Sequence, residues 1–195
     1  MSHAFAFLVE SYETEFFKTL SVWRAFADAD LEHRVEPRAR TPHEQMVHQC
    51  VSEDTWMRTM LGLESGLPPL PASEHCEAFI QHYAAAAQAR LALLEGKPEA
   101  WFGEDTTFFG ETRSRAWVLV RRMTHSAHHR GQLTLLARVL GKDLHSTYGP
   151  TADTGGLFQH QAPVIYRHAS LADLLEPTAP ASLPGPGAHP VTERP

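Results

Sequence analysis

The sequence predicts an all-α fold in which four long helices form a bundle. Apolar residues recur at three- and four-residue steps over four long segments, which is the period of an amphipathic helix. Proline, glycine and capping residues mark the ends of several of these segments. The 195 residues, 43% of them hydrophobic, suffice for one buried core. We therefore expect a single domain over residues 1–176.

The first predicted helix runs from about residue 4 to residue 27. A long aromatic stripe of this kind is typical of a bundle core, and less commonly forms the wall of a cofactor site. A charged loop over residues 28–40 follows. The apolar positions of the helix are Phe5, Leu8, Tyr12, Phe16, Leu20, Trp23 and Ala27.

The second predicted helix has a clear start, with Thr41 as N-cap, Pro42 at the first helical position and Glu44 completing a capping box. It ends before Gly62. His48 lies on its apolar face near the start. A single histidine in that position is commonly a hydrogen-bonded core or boundary residue, so its meaning depends on what faces it.

The connection 62–72 contains one further glycine and three prolines, so it cannot be helical throughout. Fully extended, it can reach about 36 Å, whereas a 20-residue helix is ~30 Å long. It can therefore cross the bundle and let the second and third helices run parallel. The third predicted helix covers about residues 73–95 and stops at Gly96 and Pro98.

Residues 98–111 hold four aromatic side chains between glycines, which predicts a short hairpin or lid over one end of the bundle. Closing the core is the more common role of such a segment, and lining a pocket is compatible with it. The aromatic residues are Trp101, Phe102, Phe108 and Phe109.

The fourth predicted helix runs from about residue 112 to residue 140. A turn-rich stretch over 145–156 and a short helix over 170–176 follow. The tail 177–195 is rich in proline, alanine and glycine, which predicts disorder. The expected apolar side of the fourth helix carries Trp117, Val120, Met123, Thr124, Ala127, Leu135 and Val139.

Composition excludes several classes of function. The net charge of −6 and the lack of a basic cluster argue against nucleic-acid binding. A small neutral or cationic substrate is easier to accommodate than a polyanion. No apolar run reaches the ~18 residues of a membrane span, so we expect a cytoplasmic protein. The two cysteines form no disulfide framework, and we expect Cys50 in the core and Cys76 exposed.

Three histidines lie within five residues on the fourth helix. His125 and His129 are spaced i, i+4, which places both rings on one face, as in helical metal sites. His48 can supply a third ligand if the second and fourth helices are antiparallel. Such a site keeps an open position, as catalytic zinc sites do. The pair His125 and His128 would serve nearly as well, and a histidine pair can also arise by chance among 13 histidines.

The run from His125 to Gln132, the single early histidine of the second helix and the segment 148–153 resemble the DinB/YfiT-like family of metalloenzymes. The likeness extends from the first helix to about Gly156. It implies a four-helix bundle of up-down-down-up order. It also implies that His48, His125 and His129 bind a divalent transition metal, most often zinc or nickel.

The resemblance further implies an enzyme acting on a small molecule, often as a homodimer, in a family whose name comes from damage-inducible expression and so links it to the stress response. Characterised relatives are transferases and isomerases that use a low-molecular-weight thiol such as bacillithiol or mycothiol as cosubstrate. We expect an S-transferase or a hydrolase, because a metal-bound water or thiol has a lowered pKa. The alternative is a non-catalytic metal-binding or protein-interaction module. No catalytic side chain is assigned, and Glu53, Asp54 and Gln132 are left outside the site.

Overall fold

The computed structural model describes residues 4–176, 179–189 and 191–192. Its long helices and one small hairpin confirm the all-α prediction. Short 3-10 turns occupy Asp28–Asp30, Ala152–Thr154 and Phe158–His160. The helices and strands are α1 (Ala6–Trp23), α2 (Pro42–Leu61), α3 (Cys76–Glu95), α4 (Glu99–Gly103), β1 (Asp105–Phe108), β2 (Glu111–Ser114), α5 (Arg115–Val139) and α6 (Leu171–Leu175).

The ends of α2 are set by local side chains, as predicted. The Thr41 hydroxyl accepts from the amide of Glu44, and the Glu44 carboxylate accepts from the amide of Thr41 at 2.9 Å. This reciprocal pair satisfies two helix N-terminal donors. At the other end Gly62 adopts a φ of 65°, a left-handed conformation that glycine reaches without steric cost. These signals fix where α2 begins and ends.

Helices α1 and α3 run antiparallel. Near the end of α1, the Trp23 ring lies 6.4 Å from that of Phe79 in the first turn of α3, and Arg24 pairs with Glu77. At the opposite end, the amide of Ala4 donates to Glu99, which follows α3.

Helices α2 and α5 also run antiparallel. Early in α2, Gln45 donates to Gln132 of α5, and later in α2 the Ser52 hydroxyl accepts from Arg122. Against α3, helix α2 runs parallel, because the His43 ring lies 5.6 Å from the Phe79 ring while the later Asp54 pairs with Arg90. The connection after Gly62 therefore returns along the length of the bundle to begin α3.

The core lies where the four long helices meet and includes both tryptophan and phenylalanine rings. The prediction for the apolar side of the fourth helix was wrong for five residues, which are exposed in α5. The inward side of α5 carries Arg122, His129 and Arg130, so apolar spacing does not mark it. The exposed residues are Trp117, Val120, Thr124, Leu135 and Val139.

The aromatic segment folds into α4 and the β1–β2 hairpin, in line with the predicted hairpin. Phe108 pairs with Glu111 across a two-residue turn in which Phe109 and Gly110 have φ values of 47° and 88°. Positive φ at both central residues matches the twist of a hairpin. The Phe109 side chain is 71% exposed. The hairpin packs on α2, where the Phe108 ring lies 5.1 Å from that of Trp56.

The chain after α5 returns over α1. Helix α6 lies at the predicted place, and its Leu174 carbonyl accepts from Arg24 at 2.9 Å. In the predicted disordered tail, residues 177, 178, 190 and 193–195 lie outside the described residues. Residues 179–189 form no helix or strand, and the Ala181 carbonyl lies 2.7 Å from Nε2 of His145. Disorder of the tail stays a prediction.

Two further expectations concern burial and membranes. Cys50 is buried, as expected, but the expected exposure of Cys76 was wrong. Cys76 begins α3, and its amide donates to Asp28 at 2.7 Å, which holds that turn against the 3-10 segment. Within the described ranges, none of the helices combines the length and the apolar character that a membrane span requires.

Candidate metal centre

The structure brings the three predicted histidines together between α2 and α5. Nε2 of His129 lies 3.1 Å from Nε2 of His125, and Nε2 of His48 lies 3.5 Å from the same atom. The three ring nitrogens lie within 4.8 Å of one another. Antiparallel packing of α2 and α5 is responsible, because it places the first half of α2 beside the second half of α5.

This spacing suits a shared metal ion. Zinc binds histidine nitrogen at about 2.0–2.1 Å, and tetrahedral angles then separate two ligand nitrogens by about 3.4 Å. The two contacts with His125 bracket that value. The three residues therefore fit a divalent transition metal.

The environment favours neutral imidazoles, which is the form that binds metal. Burial, aided by the neighbouring Arg122, lowers the pKa of His125 to about 4. Burial, aided by His125 and His48, lowers the pKa of His129 to about 3. Burial and the charge of Arg40 also lower the pKa of His48. At neutral pH the site thus offers lone pairs and no charge of its own.

A chain of amides orients His129. Its Nδ1 donates to Oε1 of Gln45 at 2.7 Å, which leaves the Nε2 lone pair facing the other two rings. Nε2 of Gln45 donates to Oε1 of Gln132 at 2.5 Å, and Nε2 of Gln132 lies 2.9 Å from Nε2 of His128. His128 is exposed and belongs to this outer chain, while His129 belongs to the triad.

Sequence reasoning missed Gln45 and did not include Gln132. Gln45 is only 2% exposed and precedes His48 by three residues, so both lie on one face of α2. The sequence did contain a signal for Gln45, because a polar residue lies there one helical turn before a candidate ligand. The contact with His129 itself depends on how closely α5 approaches α2, which local spacing does not reveal.

The triad opens into a cavity of about 500 Å³. Trp56 does not line this cavity, but its ring stacks on His125 with centroids 5.3 Å apart and planes inclined by 19°. The hairpin phenylalanines pack against that tryptophan, so the aromatic segment supports the site indirectly. The residues that line the cavity are Arg40, His48, Arg121, Thr124, His125, His128 and His129.

A second polar cluster, here called the Glu53 cluster, lies deeper between the helices and consists of Glu53, Tyr12, Tyr83, Arg90 and Arg122. The Glu53 carboxylate is 1% exposed and accepts from the hydroxyls of Tyr12, at 2.7 Å, and Tyr83. Both arginine side chains lie within ion-pair distance of it. Burial and the adjacent carboxylate raise the pKa of both tyrosines, so they stay protonated donors.

Arg130, the residue after His129, has a separate role. It pairs with Glu15 of α1 at 2.5 Å and donates to Thr19 at 3.2 Å. It also donates to the hydroxyl of Tyr148, which lies in the turn-rich segment. These contacts join α5 to α1 and to the chain that follows α5, and they lie outside the triad.

Known proteins resemble the chain in both sequence and fold. A model described as the DinB family matches residues 1–156. An uncharacterized protein of Bacillus subtilis (strain 168), YrdA, is 30% identical over 99 residues, which cover 49% of this chain and 56% of that protein. The match thus spans little more than half of that relative.

Two crystal structures share the fold. A DinB-like protein from Bacillus cereus ATCC 10987 superposes with a TM-score of 0.64 at 22% identity, over 72% of this chain and 95% of the other. A DinB-like protein, YjoA, from Bacillus subtilis gives a TM-score of 0.57 at 16% identity, over 69% and 91%. At these identities the likeness concerns the fold alone.

Proposed function

The chain belongs to the DinB family, and from this premise we propose that it is a metal-dependent enzyme acting on a small molecule. His48, His125 and His129 hold a divalent transition metal, for which zinc or nickel is our proposal. The observation that carries the proposal is the convergence of three Nε2 atoms in an open cavity. Three protein ligands with space beside them are typical of catalytic sites, because structural sites are closed.

We propose transfer of a low-molecular-weight thiol to an electrophile, or hydrolysis, as the reaction. A divalent ion at such a site supplies Lewis acidity, which lowers the pKa of a thiol or water and polarises an electrophile. The chain supplies orientation and shape. Gln45 holds the ring of His129 in one tautomer, and the Trp56 ring stacks on that of His125 and so orients it.

Two measurements test the proposal, one on metal and one on turnover. His129→Ala should lower the affinity for zinc by more than about 100-fold, because it removes a ligand. His128→Ala, a change in the same motif at an exposed residue, should leave it nearly unchanged. Competition against a chromogenic chelator measures both, and equal affinities in the two variants would contradict the assignment.

Turnover separates an enzyme from a metal-binding module. Zinc- and nickel-loaded protein is assayed with bacillithiol, mycothiol or glutathione against monochlorobimane, and for hydrolysis of simple esters and amides. Activity that His129→Ala loses and His128→Ala keeps would support the proposal. Tight metal binding with no turnover under any of these conditions would favour the non-catalytic module. Sedimentation of the same samples tests the predicted homodimer.

A further inference from the structure

Two arginines line the triad cavity and form no ion pair with any side chain in the described ranges. They are Arg40, in the loop before α2, and Arg121, on α5. Other arginines nearby do have acidic partners. Arg38 pairs with Glu36 at 2.9 Å, and the buried Arg122 lies 3.7 Å from Glu53. The charges of Arg40 and Arg121 are therefore available to a ligand.

The cavity is locally positive although the whole chain carries a net charge of −6. Its lining includes two arginines and no aspartate or glutamate. A monoanion gains from this field, whereas the overall negative charge disfavours a polyanion.

An apolar groove adjoins the triad cavity and shares Arg40 with it. The groove encloses about 550 Å³ between the loop before α2 and the last turns of α5. Leu135 and Val139, whose side chains are 62% and 58% exposed, line it together with Val35. Gln45 and Gln132 also line the groove, so the amide chain separates it from the histidines.

We propose that the substrate is a small carboxylate with an apolar tail. Its carboxylate faces Arg40, which both spaces share, and the positive charge of Arg121 adds to the attraction from across the cavity. Its reactive group faces the triad, and its tail lies toward Leu135 in the groove. Calling this ligand a substrate rests on the proposed function, whereas its binding depends on the arginines and the groove. An arginine is suited to the first contact because its planar donors match a carboxylate.

The experiment compares 4-phenylbutyrate with 4-phenylbutanamide, which has the same tail and no charge, by calorimetric titration at low salt. It is performed first on metal-free, full-length protein, so that any preference for the anion must come from side chains. We expect the carboxylate to bind about five-fold more tightly, which is the scale of contacts between exposed charges. The preference should decrease as salt is added.

Four variants locate the contacts. Arg40→Gln and Arg121→Gln should each reduce the preference for the carboxylate, whereas the matched control Arg113→Gln should retain it, because Arg113 pairs with Glu111 on the hairpin and lines neither the cavity nor the groove. Leu135→Ser should weaken both ligands alike. Equal affinity for the two ligands, no binding of either, or a preference that survives Arg40→Gln and Arg121→Gln together would overturn the inference.

Zinc-loaded protein distinguishes this inference from the proposed function. A carboxylate preference without zinc binding would leave the arginine site intact and refute the metal site. Zinc binding without any carboxylate preference would support the metal site and refute the arginine site. The two proposals therefore fail independently.

Discussion

Helices α2 and α5 hold two polar clusters that differ in how completely they are paired. In the Glu53 cluster a buried carboxylate has hydrogen bonds from two tyrosines and lies beside two arginines. In the triad, three neutral nitrogens face one another beside open space, and the buried Nδ1 of His125 has no hydrogen-bond partner in the described ranges. Both oxygens of the Glu53 carboxylate accept hydrogen bonds without a ligand, although Nε of Arg90 and Nε of Arg122 have no hydrogen-bond partner among the described residues, whereas the triad nitrogens face open space.

The difference distinguishes a cluster that stabilises the fold from a cluster that can bind a ligand. Buried polar groups are normally satisfied, so a carboxylate whose two oxygens are both bonded within the protein needs no ligand to explain it. Three ring nitrogens that converge beside open space are suited to bind a cation. Both clusters contain polar residues on the inner faces of the same helices, so only their surroundings distinguish them. Changes to the Glu53 cluster should therefore affect folding, and changes around the triad should affect metal affinity.

The largest effect is expected for Glu53→Gln. The amide keeps the shape of the side chain but leaves Arg122 without its acidic partner in the core, at a cost of about 3–5 kcal/mol in the free energy of unfolding. Urea denaturation measures it. Glu104→Gln, which removes an exposed pairing with Arg115, is the control and should cost less than about 1 kcal/mol. Similar values for the two variants would remove the contrast between the clusters.

Gln45→Ala should reduce zinc affinity by about 10- to 100-fold, because the residue that orients the ring of His129 is lost. Gln132→Ala should have a smaller effect, since Gln132 reaches His129 only through Gln45. Chelator competition gives both affinities, and circular dichroism checks that both variants remain folded. A larger loss in Gln132→Ala than in Gln45→Ala would show that the amide chain has been assigned in the wrong order.

The smallest effect is expected for the alkylation of the two cysteines. It tests whether reagents can reach the interior of the folded protein. Burial, with Glu53 as the next contribution, raises the pKa of the Cys50 thiol. Burial and Asp28 raise the pKa of Cys76 to about 12. Because the thiolate is the reactive form, iodoacetamide at pH 7.5 should leave both residues unmodified in folded protein and label both in urea. Labelling of Cys50 in the folded state would show that the interior beside the Glu53 cluster opens readily.

The helices and the histidine pair on the fourth helix could be predicted because both follow from local spacing. The capping box at Thr41 fixes the start of α2, and the four-residue step from His125 to His129 fixes the relation of their rings. His48 needed one tertiary assumption, that its helix runs antiparallel to that of the pair. The contacts between α2 and α5 have that direction.

The features that were not predicted depend on which side of α5 faces the core. The hydrophobicity of its residues indicates the wrong side. Leu135 and Val139 look like core residues in the sequence and lie on an exposed groove, while Arg122 and Arg130 look like surface residues and are buried. Buried arginines are tolerated only where acidic partners meet them, and these partners come from distant segments. The position of Gln45 beside His129 is tertiary in the same way.

The side chains of adjacent helix residues point about 100° apart, so His129 and Arg130 face different neighbours of α5. Turning α5 by one residue would move His129 away from the triad and Arg130 away from Glu15 and Thr19 on α1. The contacts of Arg130 therefore fix the rotation of α5 about its own axis. The directions of the His125 and His129 rings are thus set by contacts on a different face of the helix from the triad.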